Sequence, residues 1–330
     1  MMGITVNQIA NICGVSRTTV IRALNGHDRV GEETRQRILA VAQENGYRPN
    51  LLARSLNKGR TMSIGIITLD VENYIFAQSL GAVNQAAQKR GYFLNIALQG
   101  SDTQAELHII RELTDRGVDG ILLNPMNQGA TFESFLLELG IPVVCIGNYV
   151  SDAISTVLID EYRAARDAVS FLAARGYDHI VFVCPPLALQ KEQNIYSHLQ
   201  RLSGVEDEIA KHPGLRCEII GNEQYLDAAV SCAKKRASRT VLLCSGDIYA
   251  LKILRALQAE GLCVPEDIGI MGFDNSSVLQ YITPELTTVS TNAIEVASAA
   301  ATELIARIED PEFSPKRIYL NHSIAVRQTV

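Results

Sequence analysis

The run TVNQIANICGVSRTTVIRALNG, residues 5–26, reads as two short amphipathic helices joined by a tight turn. Thr5-x-x-Gln8 is a capping-box pattern and opens a helix through about Ile12. Gly14 suits the left-handed residue that ends it. Ser16 then caps a second helix from Arg17 to about Asn25, and Val15 and Val20 offer apolar contacts to Ile9 and Ala10. A connection of about three or four residues is what a helix-turn-helix needs. A third helix is predicted over Glu32–Glu44, with two acids in its first turn and Asn45-Gly46 at its end. Its apolar positions Ile38, Val41 and Ala42 recur at helical spacing.

On the second helix, Arg17, Thr18, Ile21, Arg22 and Asn25 share one face, while Val20, Ala23 and Leu24 occupy the other. A cationic face of this kind is either a solvated surface or one that reaches base edges in a major groove. Charge favours the second reading. Residues 1–60 hold nine basic and four acidic side chains, a net +5, whereas the remainder holds 21 basic and 32 acidic, a net −11. A basic head on an acidic body implies that only the head meets a polyanion. After Pro49, the segment NLLARSLNKGR suggests a helix over Leu51–Asn57, capped by Asn50 and ended by Gly59. It is too short to be stable alone and is expected to order on contact with a partner.

From Met62 onward the pattern changes. SIGIITL, FLNIAL, GILLN, PVVCIG, TVLID, IVFVC, CEIIG, TVLLC and IGIMGF read as strands, with helical stretches between most of them, the first near Phe76–Arg90. Continuous apolar strands alternating with helices indicate parallel sheets covered on both faces. That length of α/β pattern predicts two lobes, whose facing strand ends form a cleft.

Other classes are disfavoured. No apolar run is long enough to span a bilayer and no secretory signal is present, so a cytoplasmic location with no membrane partner is expected. A solute-binding protein would share the two lobes but lack the basic head. The strand SIGIITLD is not followed by G-x-G-x-x-G, and neither a P-loop nor G-x-S-x-G occurs, so no enzyme and no cofactor is predicted. The six histidines show no metal spacing. The seven cysteines, Cys13, Cys145, Cys184, Cys217, Cys232, Cys244 and Cys263, are scattered and are expected to be buried thiols.

The string TVNQIANICGVSRTTVIRALNG…VGEETRQRILAVAQENGYRPNLLARSL resembles the headpiece of the lactose/galactose-repressor (LacI/GalR) family almost position for position. RGVDGILLNP, GIPVV, LRALQAEGLCVPEDIGIMGFDN and TPELTTV resemble that family's periplasmic-binding-protein-like core, so the resemblance covers the whole chain. It implies a transcription regulator with a helix-turn-helix headpiece over 1–48, a hinge helix and linker over 49–60, and an effector-binding and dimerisation core over 61–330. The N-lobe would comprise about 61–160 and 292–320, the C-lobe about 161–291 and 321–330.

The resemblance also implies roles. Arg17, Thr18 and Arg22 would face base edges, and Ser16, Asn25, His27, Arg29 and Asn50 would hold phosphates. Thr5, Thr19, Ile21 and Ala53 join the DNA-binding set, and Leu56 would be either a minor-groove wedge or ordinary packing. Ile21 stands where the family commonly has serine; it could touch a thymine methyl but cannot hydrogen-bond. Gly31 replaces the usual serine cap of the third helix.

Effector-binding candidates are Tyr74, Ile75, Phe76, Asn124, Asn148, Asn194, Glu223, Asp247, Phe273, Asp274 and Thr291, with Gly147 and Gly246 nearby. Plainer roles compete: Asp247 as cap of the helix beginning near Ile248, Asp274 as cap of a turn, Phe76 as core. The family often has arginine where Asn194 is placed and an aromatic where Glu223 is placed. An anionic ligand is therefore disfavoured for want of a cation, a sugar or related metabolite is expected, and Glu223 with Asp274 raises an amine-bearing ligand as a rival. The chain ends at HSIAVRQTV without a heptad tail, so a homodimer on a near-palindromic operator is predicted. The direction of control stays open between repression and activation, and between a small molecule and a protein partner.

Overall fold

The computed structural model describes residues 4–24, 26, 29–47, 59–235, 238–310 and 312–330. Two compact units divide the chain, Met1–Thr61 and Met62–Val330.

In the first unit, α1 (Val6–Cys13), α2 (Arg17–Leu24) and α3 (Glu32–Glu44) enclose a small core of Ile9, Ala10, Cys13, Val20, Ala23, Ile38 and Ala42. Local chemistry sets each boundary. The capping box is complete: Gln8 N donates to Thr5 Oγ1 (3.3 Å) and Thr5 N to Gln8 Oε1 (2.8 Å). Gly14 ends α1 at φ 62°, and Thr19 N donates to Ser16 Oγ (3.1 Å) to open α2. Gly31 begins α3 without a side-chain cap. The expected hinge helix, and with it Asn50, Ala53 and Leu56, lies outside the described residues, as do Asn25 and His27.

The second unit opens with β1 (Ser63–Thr68), α4 (Tyr74–Lys89), β2 (Phe93–Leu98), α5 (Thr103–Asp115), β3 (Ile121–Leu123), α6 (Ala130–Leu137), β4 (Val143–Ile146) and β5 (Ser155–Ile159). There follow α7 (Glu161–Ala174), β6 (His179–Val183), α8 (Tyr196–Ile209), β7 (Arg216–Ile220), α9 (Tyr225–Lys235), β8 (Thr240–Cys244), α10 (Asp247–Ala259), β9 (Gly269–Asp274) and β10 (Thr287–Ser290). The chain closes with α11 (Ala293–Glu309), β11 (Arg317–Leu320) and β12 (Ser323–Ala325). One sheet has the order β11-β5-β4-β3-β1-β2 and is parallel throughout; the other runs β12-β10-β9-β8-β6-β7, with β12 alone antiparallel. The chain thus passes between the sheets three times: after β5, between β10 and α11, and between β11 and β12. The two-lobed α/β expectation holds.

Helix α4 begins at Tyr74, two residues before the expected start, because the Asn73 side chain accepts from Ile75 N and caps it there. The strands are apolar on both faces because each sheet carries helices on both sides. Ile64, Ile66, Val83 and Ala301 lie on one side of the first sheet, and Ile67, Ile110, Ile121 and Phe132 on the other. One contact bears on the site: a Cβ on Gly204 would collide with the Tyr162 carbonyl oxygen, so α8 approaches α7 closely only because residue 204 has no side chain.

Two cysteine expectations are corrected. Cys13, Cys145, Cys184 and Cys244 are buried, but Cys217 and Cys263 are exposed, the first because β7 is a sheet edge and the second because it lies in the turn after α10. Among the described residues no helix is long and apolar enough to cross a membrane, and no group of His, Cys, Asp and Glu is placed to hold a metal ion.

Candidate functional site

In the three-helix unit, burying Val20 and Ala23 turns the opposite face of α2 outward. Arg17, Thr18 and Arg22 are exposed there, and Thr19 and Ile21 are half-buried. Arg29 is also exposed. Among the described residues no acid pairs with Arg17, Arg22 or Arg29. Arg37 has another task, donating to Cys13 O (3.0 Å) at the end of α1. Thr5, Ser16 and Thr19 are engaged in the caps, which leaves their hydroxyls at the helix starts. A short helix with two outward arginines on a rigid three-helix base has the form of a major-groove reader.

The two sheets of the larger unit face a cavity of about 370 Å³. Ile75, Phe76, Asn124, Asn148, Asn194, Asp274 and Thr291 line it together with Gly147 and Gly246, so most of the sequence-derived set converges.

Four expected residues do not line the cavity. Tyr74 is the first residue of α4 and points outward, 52% exposed. Glu223 is exposed in the turn before α9. Phe273 neighbours Asp274 on β9, so strand alternation sends it into the core, where its ring lies 4.0 Å beneath the Arg201 guanidinium. Asp247 is neither a pocket group nor a helix cap. Its Oδ1 accepts from Thr288 Oγ1 (2.7 Å) and its Oδ2 from Ser276 N (2.8 Å) and Ser276 Oγ (3.1 Å), which ties α10 to β10 and to the loop after β9.

Other residues take their places. Asp70, Glu161, His198, Arg201 and Ser245 line the cavity. Arg201 Nε donates to Glu161 Oε2 (2.7 Å), Nη1 to Ser245 O (2.9 Å), and Nη2 lies 3.9 Å from Asp274 Oδ1. The cavity therefore does hold a cation, which corrects the expectation of none. The resemblance put an arginine position at Asn194, whereas the cation of the cavity is Arg201, seven residues further on. Ser197, His198 and Arg201 stand at i, i+1 and i+4, the spacing of one helix face, and that was the signal available. Glu161 carried no such signal, since it reaches Arg201 only through the α7–α8 contact.

Asn194 and Asn148 act across the cleft. Asn194 N donates to Met126 O (2.7 Å), and its amide nitrogen to Tyr149 O (3.0 Å) and Asn127 O (3.3 Å). The Asn148 amide nitrogen donates to Asn194 O (2.8 Å), while its Oδ1 accepts from Ser197 N (3.1 Å) and Ser197 Oγ (2.8 Å). On the other side, Gln78 Oε1 accepts from Ser277 N (3.0 Å).

Electrostatics follow from burial. His198, with Nδ1 2.7 Å from Ser245 Oγ, is pushed down to about 3 by burial and by the adjacent Arg201, so it is neutral. Burial raises Asp274 above the usual carboxylate range, with Asp247 and Glu161 adding to the rise and Arg201 opposing it. Asp274 also has φ 117° and Asn275 φ 61°; a left-handed backbone costs about 1–3 kcal/mol at such residues. Arg327 holds this corner, donating to Asn275 Oδ1 (2.6 Å) and Leu286 O (2.7 Å).

Comparison with known proteins gives these two surfaces a context. Residues 5–50 match the family described as "Bacterial regulatory proteins, lacI family", and residues 143–330 match "Periplasmic binding protein-like domain". The chain is 30% identical over 322 residues to the NTD biosynthesis operon regulator NtdR of Bacillus subtilis (strain 168), covering 95% of both chains. It is 29% identical over 337 residues to catabolite control protein A of Priestia megaterium, covering 99% of both. In fold it is similar to the lac repressor dimer bound to operator and the anti-inducer ONPF, with a TM-score of 0.86, 22% identity and 99% of each chain covered. The outward arginines of α2 and the two-lobed cavity are thus parts of one known design, and the chain belongs to the lacI family of bacterial regulatory proteins, DNA-binding regulators of transcription.

Proposed function

We propose that this regulator is a dimeric repressor whose affinity for a near-palindromic operator is set by a small polar metabolite, a sugar or a related compound, bound between the lobes. The carrying observation is that the cavity walls belong to both lobes and are joined by hydrogen bonds of Asn148, Asn194 and Gln78. Any ligand that changes the angle between the lobes must break or strengthen those bonds. Only a ligand with different affinities for the two arrangements can shift the equilibrium between them, and that difference is the coupling free energy available to the DNA-binding end.

On the DNA side, Arg17, Thr18, Ile21 and Arg22 read the major groove. Thr5, Ser16, Thr19 and Arg29, with Asn25, His27 and Asn50, lie along the phosphates, and Ala53 and Leu56 meet the minor groove between them. The headpiece is assigned to 1–48, the hinge to 49–60 and the core to 61–330. Dimerisation is supported by two apolar sheet edges: Phe93 is 69% exposed on β2, with Ile96 and Leu98 beside it, and Ile219 is exposed on β7. Unpaired apolar edges of this kind are normally covered. Such a regulator works in the cytoplasm, on chromosomal DNA, without catalysis.

The test is selection of bound sequences from a random duplex pool by the full-length protein at near-physiological salt. An enriched palindrome supports the reading, and loss of its binding on adding a metabolite fraction supports repression relieved by an inducer. An enriched site without dyad symmetry removes the dimer. No enrichment, with or without metabolites, removes the reading altogether.

A further inference from the structure

Several hydroxyl and amide groups of the cavity lining are already bonded to the protein. Ser79 Oγ donates to Ile75 O (2.9 Å), Ser197 Oγ to Asn148 Oδ1 (2.8 Å), Thr291 Oγ1 to Asp274 O (3.3 Å) and the Asn124 amide to Ile146 O (3.1 Å). The three hydroxyls have committed their donors to the protein and keep lone-pair capacity for a ligand, while the Asn124 amide has committed one of its two N–H groups. The charges lean the same way. The wall carries three carboxylates, Asp70 (whose Oδ1 accepts from Asn73 N), Glu161 and Asp274, and one guanidinium, Arg201, whose Nε and Nη1 are already bonded to Glu161 and to Ser245 O. Asp274 is left 3.9 Å from the remaining nitrogen, and among the described residues no side-chain donor bonds its carboxylate.

This is an unfinished arrangement. A buried carboxylate served by the Asp247 backbone N–H still pays a desolvation penalty that a well-placed cation would reduce. Neutral hydroxyls can also donate to it, but they carry no positive charge to balance the excess of carboxylates. A primary ammonium brings three donors, no acceptor and the missing positive charge. Phe76 and Ile75 on the adjacent wall supply an apolar surface for a ring or a short carbon chain.

We infer that the ligand of this cavity is a hydroxylated primary amine, its ammonium seated against Asp274 and its hydroxyls on the remaining acceptors. This rests on the proposed effector role of the cavity and narrows the ligand's class. It replaces the expected contribution of Glu223, which lies outside, with that of Glu161.

The experiment is titration calorimetry of the full-length protein with matched pairs that differ only in amine against hydroxyl: glucosamine and glucose, galactosamine and galactose, mannosamine and mannose, with glucose 6-phosphate as the anionic probe. In at least one pair the amine is expected to bind tenfold or more tighter than its neutral partner. That advantage should vanish in Asp274→Asn and shrink several-fold in Asp70→Asn, which sits at the cavity wall away from the buried pair and keeps the protein testable if the first variant unfolds. A neutral sugar binding as tightly as its amine, or tighter binding of the phosphate, overturns the inference and leaves the effector reading standing. An amine advantage that survives both substitutions overturns the placement. Binding by no probe removes both the inference and the effector reading.

Discussion

Arg201 Nε donates a 2.7 Å hydrogen bond to Glu161 Oε2, and both side chains are only 6% exposed. The pair joins α8 to the start of α7 and sets the orientation of the guanidinium whose last nitrogen faces Asp274. Removing one partner of a buried pair leaves an uncompensated charge, at about 3–5 kcal/mol. Arg201→Met is therefore expected to lower stability by about that much in urea unfolding. The double variant Arg201→Met with Glu161→Gln should recover a large part of it, and strictly additive losses would show that the two residues do not act as a pair.

Gly204 is a second requirement of the same contact. In Gly204→Ala the new Cβ collides with the Tyr162 carbonyl oxygen and meets the Ala165 methyl at 3.1 Å, so α8 must retreat from α7. Overpacking of this kind costs about 1–3 kcal/mol. Ligand affinity should fall along with stability, because Arg201 retreats with its helix. Unchanged thermal stability would mean that the helices have more freedom than this packing allows.

His198 predicts an acid limb of stability. Burial and then Arg201 hold its folded-state value down to about 3, below the 6.5 of an unperturbed histidine. Between those two values the unfolded chain takes up a proton that the folded chain refuses. Stability from this group is complete above about pH 6.5 and is lost as pH falls toward 3. His198→Gln should flatten that part of the stability–pH curve measured by denaturant unfolding. A profile identical to the parent's would place the acid sensitivity elsewhere, Glu208 being the next group to examine: Arg166, Lys211 and Ser170 outweigh its burial and pull it down to about 2.

Arg22 and Arg29 separate reading from holding. Arg22→Ala should weaken binding to the selected operator by about 1–3 kcal/mol and relax the preference at one base pair in each half-site. Arg29→Ala should weaken specific and random duplexes alike and lower the salt slope by about one. Repeating the site selection with each variant distinguishes the two outcomes, and a narrowed preference in the Arg29 variant would reverse the assignment.

Much of this was legible in order along the chain. The capping box at Thr5 and Gln8, the left-handed Gly14, the Ser16 cap and the run of apolar strands are local features, and local sterics and hydrogen bonding decide them without help from distant residues. The exposed face of α2 follows from burying Val20 and Ala23, again a matter of spacing along one helix. The cavity is different in kind. Asp247 and Asp274 are both acids at the edge of an element, yet one is bonded by Thr288 and Ser276 while the other faces the ligand space. Phe273 and Asp274 are neighbours with opposite fates because a strand alternates its faces. Glu161 and Arg201 are forty residues apart and meet only because Gly204 lets two helices touch. Sequence alone determined the elements, their caps and the DNA-reading face, since these depend on interactions within a few residues. Which charges meet in the cleft was decided by tertiary structure, because that depends on how closely separately formed helices and strands can pack.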